Sequence, residues 1–128
     1  MSLGSEATRS EALETIEAVA ARETEADDVL RASVGALAEQ LEARWVAIAF
    51  VEDGRLQIGP AAGDLPDPPA APAVSEPVLY DGAEVAEIWI GADSPVDDAD
   101  REFLTRAALL LSPYCLVGWD TGGQAWEV

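Results

Sequence analysis

Most proton transfer, Schiff-base chemistry and metal ligation in proteins draws on histidine, lysine and grouped cysteines. This 128-residue chain holds no histidine and no lysine; its seven basic residues are all arginine, and Cys115 is its one cysteine. Cys115 sits among Tyr114, Leu116 and Val117, a setting in which cysteine acts as a small apolar residue. A reactive thiol needs exposure and a positive neighbour, and no arginine is close in sequence. A lone cysteine makes no internal disulfide, which fits a reducing compartment. The remaining candidates are carboxylates. Asp97, Asp98 and Asp100 could bind a hard cation, but aspartates at a helix start serve first to cap it and to offset its dipole. Glu84 and Glu87 fall on opposite faces of an extended strand, so they form no acid–base pair. The glycines at 59–63 and Thr121-Gly122-Gly123 do not match a phosphate-loop spacing. The side chains therefore predict a non-enzymatic protein with no cofactor and no metal. What remains is binding, for which Phe50, Tyr80 and Trp89 are the candidate walls of a small apolar cleft.

Charge bounds the partners. Twenty-five acidic residues against seven basic ones give a net charge of −18. That field repels phosphate backbones and predicts no nucleic-acid partner. It fits a solubilising surface, including one adapted to high salt, or an acidic face for a basic partner. With 49% hydrophobic residues the chain is globular. Its longest apolar run, 107–119, is interrupted by Ser112 and Pro113 and falls short of the roughly 20 residues that span a membrane. No leader pattern precedes it, so a cytoplasmic protein without a membrane partner is expected.

The elements that must position these residues centre on 77–91, Pro-Val-Leu-Tyr-Asp-Gly-Ala-Glu-Val-Ala-Glu-Ile-Trp-Ile-Gly. Asp81-Gly82 between alternating apolar residues predicts a two-residue hairpin, whose type I′ turn needs positive φ at both central positions. In the second arm Ala86, Ile88 and Ile90 share one face, and Val85, Glu87 and Trp89 the other. Residues 45–51 read as a central strand apolar on both faces. Asp53-Gly54 predicts a second hairpin with 55–59 returning. Residues 60–74, with Pro60, Pro66, Pro68, Pro69 and Pro72, read as an extended crossing or lid, because proline donates to no ladder. Three helices flank the strands. One covers 8–22, capped by Thr8 with Glu11. A second covers 24–44, capped by Thr24 with Asp27, with Gly35 permitting close approach of a neighbour. The third starts after Asp97 and stops near Pro113. Residues 1–7 read as a disordered leader or tag remnant, 8–118 as one domain, and 119–128 as a tail. The first helix has a thin stripe of Leu13, Ile16 and Val19. That stripe either lies on its own domain or packs against a partner chain; in the second case it forms, with the last helix and Trp119 and Trp126 of the tail, the predicted contact surface of a homodimer.

Three stretches resemble the GAF domain family: Leu37-Ala38-Glu39-Gln40-Leu41-Glu42-Ala43-Arg44-Trp45-Val46-Ala47-Ile48-Ala49-Phe50, the hairpin at 77–90, and Val96-Asp97-Asp98-Ala99-Asp100-Arg101-Glu102-Phe103-Leu104. The resemblance implies an α+β fold with a central antiparallel β-sheet of about five strands, covered on one face by N- and C-terminal helices. It implies small-molecule sensing or dimerisation within a signalling system. Pocketed members carry another strand and short helices where this chain has only its proline-rich 60–74 segment. No cyclic-nucleotide signature is matched. Methionine-sulfoxide-reducing members use more than one cysteine, and the bilin-attaching cysteine has no counterpart. Two functional expectations follow: a sensor with a small ligand, or a pocketless interaction module. PAS-like and profilin-like arrangements fit the same periodicity.

Overall fold

The structure, a computed structural model, describes residues 5–23, 25–41, 43–52, 54–64, 72–92 and 96–116. Its elements run α1 (Glu6–Arg22), α2 (Ala26–Gln40), β1 (Trp45–Glu52), β2 (Arg55–Gly63), β3 (Val74–Tyr80), β4 (Ala83–Gly91) and α3 (Asp98–Leu111), followed by a 3-10 turn over Ser112–Leu116. The strands form one antiparallel sheet in the order β2-β1-β4-β3. Among the described residues it has four strands rather than the expected five or so. This is an α+β fold with its helices on one face of the sheet.

Turn chemistry behaves as the residues dictate. Asp81 and Gly82 have φ of 52° and 82°, the left-handed pair of a type I′ hairpin, and Tyr80 faces Ala83 across it. Gly54 takes φ 74° at the other hairpin. The strand predicted over 55–59 runs on to Gly63, through Pro60. Two features admit the proline. β2 is an edge strand, and the register slips so that Gly59 and Pro60 together face Ile48. That bulge removes the ladder position at which a missing N–H would count.

A second bulge corrects the face assignment of Val85. Val78 pairs with Ala86 but Leu79 with Glu84, leaving Val85 as the extra residue. Its side chain turns into the core instead of sharing a face with Glu87 and Trp89. The rest of the helix-facing side is as the alternation predicts. Val46, Ile48 and Phe50 of β1 lie opposite Ile90, Ile88 and Ala86 of β4. They meet Val29, Leu30, Val34 and Leu37 of α2, and Phe103, Leu104, Ala107, Ala108 and Leu111 of α3. Burying each large side chain of this set contributes about 1.5–3 kcal/mol.

α1 starts a turn earlier than its predicted Thr8 cap. Ser5, extended at φ −79° and ψ 170°, accepts from Thr8 N at 3.1 Å. Ser5 to Ala7, assigned above to the leader, thus belong to the helix and its cap. α1 lies across α2 and α3, joined to α2 by Gln40 Nε2 donating to Thr15 Oγ1 at 3.1 Å. Its stripe is already closed: Ile16 and Val19 are buried in the domain's own core, and Leu13 packs against it. Ile16 and Val19 are thus not available to a second chain, and Leu13 is half-buried.

α2 ends at Gln40, and Arg44 stands beyond it, donating its backbone N–H to Gly91 O at 2.7 Å. The cap of α2 is Glu25, which makes no side-chain cap bond; the predicted cap, Thr24, lies outside the described residues. Gly35 has no neighbour within 4 Å of a would-be Cβ, so the predicted close approach is not made. α3 opens on the expected Asp97 cap. Asp97 Oδ1 accepts from Asp100 N at 2.9 Å, and Asp100 Oδ2 accepts from Asp97 N at 3.2 Å. The helix gives way at Ser112 to the 3-10 turn holding Pro113. Trp119 and Trp126 of the tail lie outside the described residues.

Candidate functional site

The described helices and the 3-10 turn with Cys115 share one core with the even-numbered residues Val46, Ile48 and Phe50 of β1, with α2 directly on β1 and α1 resting on α2 and α3. The odd-numbered face is therefore where a ligand could reach the sheet without entering the core. Three pairs line it across the two central strands: Trp45 with Gly91, Ala47 with Trp89, and Ala49 with Glu87. On the other side of β1, Gly63 faces Trp45, Ala61 faces Ala47 and Ile58 faces Ala49. Ala47 and Ala49 thus form the floor of a trough beside the taller Ile58, Trp89 and Glu87, and that floor has no exposed surface in the folded chain. Trp45, Ala47 and Ala49 are buried, while Trp89 and Glu87 are half-buried.

The trough end at Trp45 is built by glycine. A Cβ at Gly91 would land on Trp45 Nε1 and Cε2, so the indole lies in the space that this side chain vacates. Gly63, on the opposite neighbour, takes φ 89°, and a Cβ there would press on the Arg44 carbonyl and the Trp45 backbone. β2 ends and β3 begins at this same end, Gly63 facing Trp45 and Val74 facing Ile90. Its two ends are tied down by Asp64 N donating to Arg44 O (2.9 Å) and Ala73 N donating to Ile90 O (2.8 Å). Along β4, Trp89 Nε1 donates to Glu87 Oε1 at 2.8 Å. The bond turns the indole along the strand toward the carboxylate and fixes both side chains.

The predicted wall residues do not come together. Trp89 is on the trough face. Phe50 is on the other side of β1, buried in the core with its ring over Gly59. β1 is apolar on both faces, and only its pairing with β4 settles which way Phe50 points. Tyr80 ends β3 beside the Asp81-Gly82 turn and is exposed. Trp45, Ala47, Ala49 and Glu87 take the places that Phe50 and Tyr80 were expected to fill. Their sequence signal was the odd-numbered phase shared by Trp45 and Trp89, together with a glycine at each neighbour of Trp45.

The aspartates at the start of α3 do structural work. Asp100 is fully buried, and Arg9 Nη1 meets its Oδ1 at 3.1 Å. With Oδ2 engaged in the cap, the carboxylate joins the starts of α1 and α3. Cys115 is buried, and burial pushes its thiol from the ordinary 9.0 up to about 12. A thiol that does not ionise is a poor nucleophile. In the folded protein at pH 8 Cys115 is expected to resist iodoacetamide, and to be alkylated promptly once urea unfolds the chain; rapid native labelling would contradict its burial. The sign of the linkage is also set. Above pH 9 the unfolded thiol ionises and the folded one does not, so this residue's share of stability falls as pH rises from 9 toward 12. Cys115→Ala should flatten that slope.

No family model matches the sequence, and no curated protein matches it. Solved structures do resemble the fold. The GAF domain of a phosphoenolpyruvate-protein phosphotransferase from Coxiella burnetii superposes with a TM-score of 0.75 at 13% identity, over 90% of this chain and 96% of that one. The corresponding Acinetobacter domain gives 0.72 at 14%, over 89% and 96%. The free methionine-R-sulfoxide reductase of Neisseria meningitidis, solved with its substrate, gives 0.74 at 17%, over 94% and 97%. Identities this low speak to architecture and leave chemistry open, and the architecture agrees throughout: this chain has the GAF fold.

Proposed function

We propose that this chain is a non-enzymatic, cytoplasmic sensor or signalling domain that binds a small molecule on the sheet face that no described helix covers. One observation carries the reading. Trp45, Ala47 and Ala49 are buried, and Trp89 and Glu87 half-buried, on the face that no described helix covers. The half-buried Trp89 indole beside a fixed carboxylate, with buried apolar residues beneath, has the composition of a ligand site. The Neisseria reductase holds a small-molecule substrate within the same fold, which supports a ligand role without assigning one. Its reaction does not carry over. The only thiol here is buried and protonated at neutral pH, and thiol chemistry needs a thiolate.

The test is a native mass spectrum of the purified protein, repeated after denaturation, with a thermal-shift screen of small metabolites. A retained mass that is lost on denaturation, or a melting shift abolished by Trp89→Ala, supports the sensor. No retained mass and no shift across the screen overturns it. A ligand-free dimer in the same spectrum would turn the reading to an interaction module, whose contact surface could not be the closed stripe of Leu13, Ile16 and Val19.

A further inference from the structure

The exposed apolar side chains are gathered at one end of the sheet. Phe50 pairs with Ala86, so β1 ends where β4 begins, and both hairpin turns, at Gly54 and at Asp81-Gly82, stand together. Four large apolar residues are exposed among the described ones, and three of them, Leu56, Leu79 and Tyr80, lie at this end; Leu109 on α3 is the fourth. Clustering of this kind marks an interaction surface, where scattered single residues would not. The pairing sets out the surface on the side that no described helix covers. Leu56 lies opposite Val51 and Ile58 opposite Ala49. On the far side of β4, Leu79 lies opposite Glu84 and Pro77 opposite Glu87. Two apolar stripes, on β2 and β3, thus run along the strands, with a stripe of carboxylates on β4 between them. Leu56 and Leu79 are 41% and 50% exposed, and Glu84 and Pro77 are exposed as well, so a partner meets them without reaching the buried alanines.

Charge selects the occupant. Neither Glu84 nor Glu87 ion-pairs with an arginine among the described residues. A second copy would set the same carboxylates against these two, in the field of two chains of net charge −18 each. No segment of this chain outside the described residues supplies positive charge, since all seven arginines lie within the described ones. An anionic membrane or a nucleic acid is repelled. Leu79 and Pro77 are two residues apart on β3, so the backbone positions of the carboxylates opposite them are about 7 Å apart along the strand. That is close to the ~6 Å between residues i and i+4 of a helix. We infer that the hairpin end of this face docks a basic, amphipathic helix of another protein. Two basic side chains one turn apart lie over Glu84 and Glu87, and apolar side chains to either side rest on Leu56 and Leu79. The proposal goes beyond the small-molecule reading and stands independently of it.

The experiment titrates the intact, 15N-labelled protein with a capped helical peptide of about four turns, built of alanine with arginine at i and i+4 flanked by leucine, in ~0.15 M NaCl. A second peptide carries glutamine in place of arginine. The arginine peptide is expected to give saturable shifts confined to the hairpin end, around Val51, Leu56, Leu79 and Glu84, and the glutamine peptide to bind at least about fivefold more weakly. Leu56→Ser with Leu79→Ser should weaken the arginine peptide at least about tenfold. Leu109→Ser, which removes an exposed leucine from α3, should leave it unchanged. Glu84→Gln should weaken it about threefold, and Glu14→Gln, which removes the same charge from exposed surface of α1, should not. Shifts spread over the acidic helices, or no saturable binding, would overturn the docking surface. An effect of Leu109→Ser equal to that of the double variant, or of Glu14→Gln equal to that of Glu84→Gln, would overturn it too. So would a homodimer that Leu56→Ser with Leu79→Ser disperses, which gives the face to a second copy. The native mass spectrum reads small-molecule retention separately, so failure of either reading leaves the other standing.

Discussion

Replacing Arg9 with alanine is expected to lower the unfolding free energy by about 3 kcal/mol, a drop of roughly 10 °C in melting temperature for a domain of this size. The reason lies with the residue left behind. Asp100 has no exposed surface, and Arg9 is 16% exposed. Removing the guanidinium leaves a carboxylate in the interior without the charge that balances it, and an orphaned buried charge costs about 3–5 kcal/mol. The partial exposure of Arg9 puts the effect at the lower end. Asp100→Asn should cost less, because the arginine it strands can reach water and asparagine can still accept at the cap. In the double variant the loss from Arg9→Ala should shrink by at least about 1 kcal/mol, since no buried charge remains to be stranded. Urea melts of the four proteins test this. Equal cost of Arg9→Ala in both backgrounds would show that the pair is not coupled. The consequence for the fold is specific. α1 is the outermost helix, resting on α2 and α3, and this ion pair fixes its first turn to the start of the helix that carries the Asp97 cap.

How much of this was legible depends on whether local chemistry or long-range pairing decided the matter. Asp81-Gly82 and the Asp97 cap act within four residues, and both stand where the sequence puts them. The broad stripes of α2 and α3 were readable because helical periodicity needs no partner to define it. Ser5 was missed because the cap lies one turn before the first apolar residue that marked the helix. Pro60 ended β2 in the sequence reading, yet an edge position and a bulge, neither visible in local pattern, carry the strand through it. Val85 was assigned to the wrong face by strict alternation, which a bulge resets. The site suffered most. A strand apolar on both sides cannot announce which face meets the helices, so the pattern alone does not separate Phe50, which faces the core, from Trp45, which faces away from it. The same bulge puts Glu84, opposite Leu79, on the face of Glu87, opposite Pro77, where strict alternation separates the two. Glu87 also shares that face with two tryptophans.

The second large effect follows from charge. Raising NaCl from about 0.1 M to about 1 M should increase the melting temperature by roughly 10 °C, as the screening length falls from ~10 Å to ~3 Å. Two like charges ~10 Å apart repel by about 0.4 kcal/mol in unscreened water. The folded domain gathers 18 excess negative charges onto a body of 128 residues, whereas unfolding spreads them apart. The described ion pairs do little to relieve this. Three of the four, Arg22–Glu23, Arg31–Asp27 and Arg106–Glu102, are exposed or half-exposed, where such pairs contribute well under about 1 kcal/mol. Salt screens those weak attractions too, but many more repulsive pairs than attractive ones are removed, so the net change is stabilising. The Arg9–Asp100 pair, shielded by burial, should keep its strength across the same range, and the penalty of Arg9→Ala should be nearly independent of salt. A melting temperature that is flat or falling with NaCl would show that self-repulsion does not limit this fold. Replacing NaCl with sodium sulfate at equal ionic strength separates the two physical contributions. A gain from screening alone is the same in both salts, whereas a larger gain in sulfate marks strengthened apolar burial.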